Sequence, residues 1–231
     1  MIADLVLRNV QRAGMALHDI AIRDGNILAM GVNLEVSGPE IDGSGQLVLP
    51  GLTDHHIHLL ASAARLASVD LAGVADAGAA IARLRAAACA PGKWVRAVGY
   101  DERLAGLPDA AALDGWLPDL PLRMQDRTGA LWLLNTPALA LLGSPPYPPC
   151  VELGDGLPTR RIWRGDAWLR TRLPHDPPQL AALGRQLARY GITRVTDAGA
   201  DNGPAEAALL AEALPQRLML MGNEELPEST A

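Results

Sequence analysis

An α/β fold is what this sequence predicts, and three observations carry the prediction. The first 50 residues are written as short β-strands, with Asp24-Gly25-Asn26 as a turn between two β-rich runs. The stretch LVLPGLTDHHIHLL, residues 47–60, opens as a continuous apolar run, the mark of a strand buried on both faces as in a parallel sheet. From residue 175 onward, helix, strand, helix and strand alternate at the spacing of a parallel sheet or barrel.

The elements follow in order. ADLVLRNV and HDIAIRDGNILAM predict a small antiparallel sheet, too short to be stable alone, so it should pack on something larger. Gly31, Gly38-Pro39 and IDGSG punctuate what comes next. After the histidine-bearing strand, Asp76 caps a helix through AGAAIARLRAAACA that Pro91-Gly92 ends. KWVRAVGY is a short strand, and LPDLP and GSPPYPPC are loops. Between those loops RTGALWLLNTPALALLG is apolar enough to be buried, and its period assigns it to neither helix nor strand. HDPPQLAALGRQLARYG has Asp176 as N-cap, Pro177 at the first helical position and Gly191 past the end. ITRVTDAGA is a strand finishing in Asp197 and a glycine turn, EAALLAEALPQ a helix, and RLMLMG a strand.

Composition removes several function classes. The formal net charge of −6 argues against a nucleic-acid partner. The arginines at 160, 161, 164, 170 and 172 are interrupted by Asp166 and two tryptophans, as in a solvated or pocket-edge segment. Cys89 and Cys150 are too few for a disulfide framework and read as free thiols of a reducing cytosol. No stretch approaches the ~18 apolar residues of a membrane span, and the N-terminus has no leader pattern, so a soluble cytoplasmic protein is expected.

The histidines are the chemical signal. Residues two apart on a strand share a face, so His56 and His58 point one way and His55 points the other with Ile57. Two imidazoles at that spacing can reach one divalent ion, and zinc, iron, nickel and copper all suit imidazole. The alternative is a strand end with solvent-exposed histidines. Asp54 lies on the side of His56, where its carboxylate could accept an imidazole N–H and fix the tautomer. Active sites of α/β barrels lie at the C-terminal ends of strands, where these residues fall. No serine sits in a Gly-x-Ser-x-Gly elbow, so a serine triad is not supported.

With these residues in view, LVLPGLTDHHIHL resembles the first-strand motif of the metal-dependent amidohydrolase superfamily. The β-rich start resembles part of that superfamily's accessory β-sandwich. GYDERLAG, RTGALWLLNTPALALLG and YGITRVTDAGA resemble its N-substituted formamide deformylase-like branch, which carries a long insert between the first two barrel strands. The resemblance implies a partial (β/α)8 TIM barrel: residues 1–48 as the sandwich portion, 49–231 as the first part of the barrel, with the insert over about 62–175. It implies His56 and His58 as metal ligands, Asp54 as their support, and one or two divalent ions, with zinc expected. The implied reaction is hydrolysis of a non-peptide C–N bond in a small amide-like molecule by metal-activated water. Asp101 (with Glu102), Asp126 and Asp197 are candidates for the substrate pocket; Asp126 stands where related enzymes often carry a histidine. His55, Trp132 and Asn135 are expected to be structural, and His18 incidental.

In that superfamily the other ligands and the general base come from later strands, so they are expected beyond residue 231. A barrel alone takes about 250 residues, and His18, His175 and Lys93 do not fill the ligand set. The expectation is therefore the N-terminal half of a longer enzyme, inactive as an isolated chain. The alternative is a truncated, non-catalytic remnant or a partner-dependent subunit, completed by a homo-oligomer or by a missing C-terminal half.

Overall fold

The structure, a computed structural model, describes residues 1–12, 14, 16–87, 94–173 and 178–226. It divides into two compact units, one of residues 1–53 with 191–194, the other of residues 54–190 with 195 onward.

In the first unit, β1 (Leu5–Gln11), β2 (Leu17–Arg23), β3 (Asn26–Gly31) and β4 (Glu40–Asp42) form a sheet of order β3-β2-β1-β4. The β2–β3 hairpin closes at Asp24 and Gly25, whose φ of 49° and 72° are the left-handed pair this turn needs. The sheet is not purely antiparallel as expected. After β3 the chain crosses to the far side of β1, so β4 pairs with β1 in parallel, Leu7 opposite Ile41. Ala3, Val6, Ala21 and Val36 form its small core.

A polar network supports that core. The buried Asp19 carboxylate accepts from Arg8 Nη1 at 2.8 Å and from the Asn9 and Leu34 amides at 3.1 and 3.0 Å. Burial pushes this carboxyl up, but the Arg8 guanidinium and the two amides outweigh it and hold Asp19 below its ordinary value. Its stabilising contribution is thus present above the unfolded pKa of about 3.9 and is lost as pH falls through the lower folded value. Denaturant unfolding should lose stability more steeply on acidification in the native chain than in Asp19→Asn. Equal slopes would remove Asp19 from the acid response.

The second unit holds most of the remaining elements. In chain order the rest of the protein runs β5 (Leu52–Ile57), α1 (Leu59–Leu66), β6 (Val69–Asp70), α2 (Ala77–Ala87), β7 (Val95–Tyr100) and α3 (Ala110–Trp116). Then come β8 (Leu122–Asp126), β9 (Leu131–Leu134), α4 (Thr136–Leu141), β10 (Val151–Gly154), β11 (Leu157–Trp163) and α5 (Asp166–Arg172). The chain closes with α6 (Leu180–Arg189), β12 (Ile192–Asp197), α7 (Pro204–Ala213) and β13 (Arg217–Leu220). Among the described residues no helix is long and apolar enough to cross a membrane.

Six strands between β5 and β12 build their own mixed sheet, of order β10-β11-β9-β8-β7-β6. Its β6, β7 and β8 are parallel and the rest antiparallel. Strand β9 resolves the apolar run that had no clear period. Leu131 and Leu133 enter one core with Leu122, Met124 and Ala97, while Trp132 and Leu134 enter the other with Ile162 and Leu169. A strand buried on both faces shows no alternation. The run then changes to α4 at Asn135, an N-cap whose side chain accepts from the Ala138 amide, with Pro137 in the first turn. The expected Asp76 contact at the start of α2 is present, to the Ala79 amide at 2.8 Å. Helix α3, capped by Asp109 onto the Ala112 amide, lies just before the LPDLP loop in a stretch to which sequence reading assigned no element. Arg164, Arg170 and Arg172 are exposed, as a solvated segment should be. Cys89, Pro91-Gly92, Lys93, His175, Asp176 and Pro177 lie outside the described residues; α6 starts at Leu180 with Gln179 as its N-cap, so the expected cap at Asp176 with Pro177 at the first helical position does not hold.

A three-stranded sheet of order β13-β12-β5 carries the histidines. Here the expectation of a doubly buried strand fails. The strand begins at Leu52, after Pro50-Gly51, and Leu47, Leu49 and Leu52 are 51%, 62% and 56% exposed. Leu47 and Leu49 precede the strand, and β5 itself is an edge strand with β12 as its neighbour among the described strands.

Candidate metal centre

Strand β5 is set against β12 from its first residue. The Leu52 amide donates to Gly191 O at 2.8 Å, and a Cβ on Gly51 would fall 2.2 Å from Thr193 Oγ1. Glycine at 51 therefore permits the close approach to Thr193 at this point.

The strand ends at Ile57, one residue earlier than the shared-face argument assumed. His58 is the N-cap of α1, with φ −107° and ψ 90°, still extended backbone, and makes no side-chain cap bond. Extended geometry at 58 keeps the period-2 relation, so His56 and His58 remain together, ring centroids 5.4 Å apart and planes at 89°. Helix α1 starts there because Leu59 and Ala63, four apart, are both fully buried. All three neighbouring histidines, 55, 56 and 58, are exposed.

The pair can be tested against the metal that such an arrangement implies. Zinc–nitrogen bonds of about 2.0–2.1 Å place each ring centroid about 3.2 Å from the ion, so two imidazoles on a tetrahedral ion have centroids about 5.2 Å apart. The observed separation fits that value. Among the described residues, however, no group of three or more His, Cys, Asp or Glu is placed to hold a metal.

Asp54 makes a different contact from the one expected. Its Oδ1 accepts the backbone amide of His56 at 3.0 Å, bracing the chain rather than an imidazole N–H.

Asp197, at the end of β12, comes to the same place. It is buried, and its Oδ2 accepts the Leu59 amide at 2.6 Å, across 138 residues of sequence. Its Oδ1 accepts from the Gly199 amide at 2.8 Å and from Asn202 Nδ2 at 2.7 Å. The Ala198 amide donates to Ile57 O at 2.8 Å. Asn202 is the residue that sequence reasoning missed: buried, it also donates to Met221 O and so ties β12 to the end of β13. Nothing local marks it.

Asp101 and Asp126 belong to the other sheet, at the ends of the parallel neighbours β7 and β8, where Tyr100 faces Asp126. Arg103 binds Asp101 through Nε at 2.9 and 3.0 Å and through its other arm, with Arg127 at 3.8 Å. The Arg103 side chain first, then its backbone amide, hold the Asp101 carboxyl well below the usual range. Asp126 accepts from the Thr128 hydroxyl at 2.5 Å and the Leu131 amide at 3.0 Å. Burial alone would raise the Asp126 carboxyl, yet these bonds keep it low. Trp132 and Asn135 are buried structural residues, as expected. A groove of about 440 Å³ between α1 and α6, lined by Ile57, Ser62, Leu66, Leu183, Leu187 and Tyr190, lies on the Ile57 side of β5, away from the histidine pair.

Comparison with known proteins gives these residues a context. The N-substituted formamide deformylase of Arthrobacter pascens is 28% identical over 156 residues, 62% of this chain and 29% of its own length. Protein LONG AFTER FAR-RED 3 of Arabidopsis thaliana is 28% identical over 158 residues, 62% of this chain and 27% of its own. The allantoinase of Rubrobacter xylanophilus is 45% identical over 58 residues, 24% of this chain and 13% of its own. The chain thus spans less than a third of the curated relatives it matches. Uncharacterized metal-dependent hydrolases from Pyrococcus horikoshii and Pyrococcus furiosus share the fold, with TM-scores of 0.67 and 0.66 at 18% and 19% identity. Those matches cover 94% of this chain and 48% and 50% of the solved ones. The model for the amidohydrolase family matches residues 39–227, a span that includes the histidine pair, Asp54 and Asp197, and the chain belongs to that family.

Proposed function

We propose that this chain is the N-terminal part of a metal-dependent hydrolase of amidohydrolase type that acts on a non-peptide C–N bond of a small amide-like molecule. The observation that carries the proposal is the perpendicular His56–His58 pair, 5.4 Å between centroids, at the end of β5. In this reading β5, β12 and β13 open a (β/α)8 barrel and the six-stranded sheet is the insert. Support comes from strand order, since β5 and β12 are neighbours although residues 58–191 separate them. Residues 1–48 are read as the sandwich portion. A substrate of amide type is supported by the name of one relative, an N-substituted formamide deformylase. A reducing, cytoplasmic location is part of the proposal, resting on two cysteines of which Cys150 is free.

His56 and His58 would hold the divalent ion, for which zinc is the proposed identity. Bound there, such an ion lowers the pKa of water towards about 7 and polarises a carbonyl. Asp54 keeps the His56 backbone in place. Asp101 and Asp126, held low by their neighbours, are proposed as substrate contacts rather than as proton carriers. Their oxygens are committed to Arg103, Thr128 and backbone amides. The carboxylate that carries a proton to the leaving nitrogen is therefore expected outside this set.

A second reading is a non-catalytic or partner-dependent subunit, favoured by the ligand count among the described residues. Zinc titration of the 231-residue chain, with a formamide hydrolysis assay alongside, tests the proposal. Saturable binding without turnover is expected. No saturable binding would sink the metal pair, and turnover by the isolated chain would sink the view that its site is partial.

A further inference from the structure

We infer that Asp197 is the positioning residue of the metal pair: it acts through His58 and does not contact substrate. This rests on the reading of His56 and His58 as ligands. A carboxylate has about four lone-pair directions, and three of Asp197's are taken by Leu59 N–H, Gly199 N–H and Asn202 Nδ2. A buried group with its acceptors so filled has little left for a substrate.

What it grips is the backbone on both sides of His58. Asp197 Oδ2 holds the amide of residue 59, and the next residue, Ala198, donates to the carbonyl of residue 57. The His58 carbonyl accepts the first helical bond, from Ser62. His58 has no cap bond of its own, so the cap of α1 is supplied from β12. A carboxylate at a helix N-terminus is favourable for the same reason that a side-chain cap is. The ring of His58 meets that of His56 edge to face and makes no hydrogen bond among the described residues, while its main chain is fixed from outside. Glycine at 199 is part of the device, since a Cβ there would lie 2.8 Å from Asp197 Oδ1.

The test compares Asp197→Asn with Asn202→Ala in the full chain. The first breaks the acceptor pairing at Leu59, while the second removes a donor from the same carboxylate and leaves the Leu59 bond. Cobalt titration should show binding about 10- to 100-fold weaker for Asp197→Asn at temperatures where circular dichroism reports a native fold. For Asn202→Ala, which leaves the Leu59 bond in place, the loss should be several-fold smaller than for Asp197→Asn. In the metal-free chain, the His58 ring resonances should move in Asp197→Asn and those of His18 should not. Equal losses of affinity in both variants would reduce Asp197 to a structural tie, and an unmoved His58 ring would overturn the inference outright. Hydrogen exchange in the native chain covers the case in which Asp197→Asn does not fold: an unprotected Leu59 amide would also end it. If the native chain binds no cobalt but the His58 ring and Leu59 amide respond, positioning stands and the metal reading falls.

Discussion

Replacing Asn135 with alanine is expected to cost about 3–5 kcal/mol, a large share of the ~5–15 kcal/mol that holds a typical domain together. Its side chain is fully buried and every hydrogen-bonding position is used. Oδ1 accepts from the Leu122 and Ala138 amides at 2.8 and 3.0 Å. Nδ2 donates to Leu117 O and Leu120 O at 2.8 and 2.7 Å. One amide thus caps α4, ties it to the entry of β8 and closes the loop after α3. Truncation strands two N–H groups and two carbonyls, three of the four bonds being buried and that to Leu120 O partly so, each worth about 1–3 kcal/mol before relaxation. Asn135→Asp should not rescue the loss, because it would set an acceptor against two carbonyls. Urea unfolding followed by tryptophan fluorescence measures both variants, and a cost under about 1 kcal/mol for alanine would refute this account.

That residue also shows where sequence reading reached its limit. Asn-Thr-Pro in the middle of RTGALWLLNTPALALLG is a helix-start signal, but the strand before it is buried on both faces and so carries no period. The turn at Asp24-Gly25 was readable because alternating apolar residues flank it. An Asp-Gly pair of the same geometry, Asp155 and Gly156 at φ 51° and 77°, closes β10 onto β11. It went unread because Pro158 and a run of arginines follow it rather than an apolar strand. Conversely, LVLP before the histidines has the composition of a buried strand and is exposed in the structure. Composition records what a segment could bury, and the neighbours decide whether it does.

The candidate site divides along the same line. That His56 and His58 share a side follows from the period of an extended chain, so the sequence alone was enough. That Asp54 braces an amide rather than a ring depends on a single rotamer. The tie from Asp197 to Leu59 spans 138 residues, a distance over which no local pattern can speak. Asp197 could be singled out as a strand-end acid, but its role is readable only in three dimensions.

His56→Ala and His58→Ala should each weaken zinc binding by at least about a hundredfold, roughly 2.7 kcal/mol, and His55→Ala should leave it unchanged. The three residues lie within four positions of one another and are all exposed, so general disruption should affect them alike. Only the alternation of an extended backbone separates them: rings 56 and 58 meet edge to face, and 55 points to the other side. Losing either partner leaves one imidazole, since no third His, Cys, Asp or Glu gathers with the pair among the described residues. Being exposed, the histidines contribute little to the core, so the metal-free variants should melt close to the native chain. Zinc at a hundred times its dissociation constant should raise the native chain's stability by about 2.7 kcal/mol and give no such gain to the two ligand variants. Thermal melts with and without zinc therefore separate a lost ligand from a damaged fold. A zinc-dependent rise that survives His56→Ala and His58→Ala, or one that disappears in His55→Ala, would move the metal away from this pair.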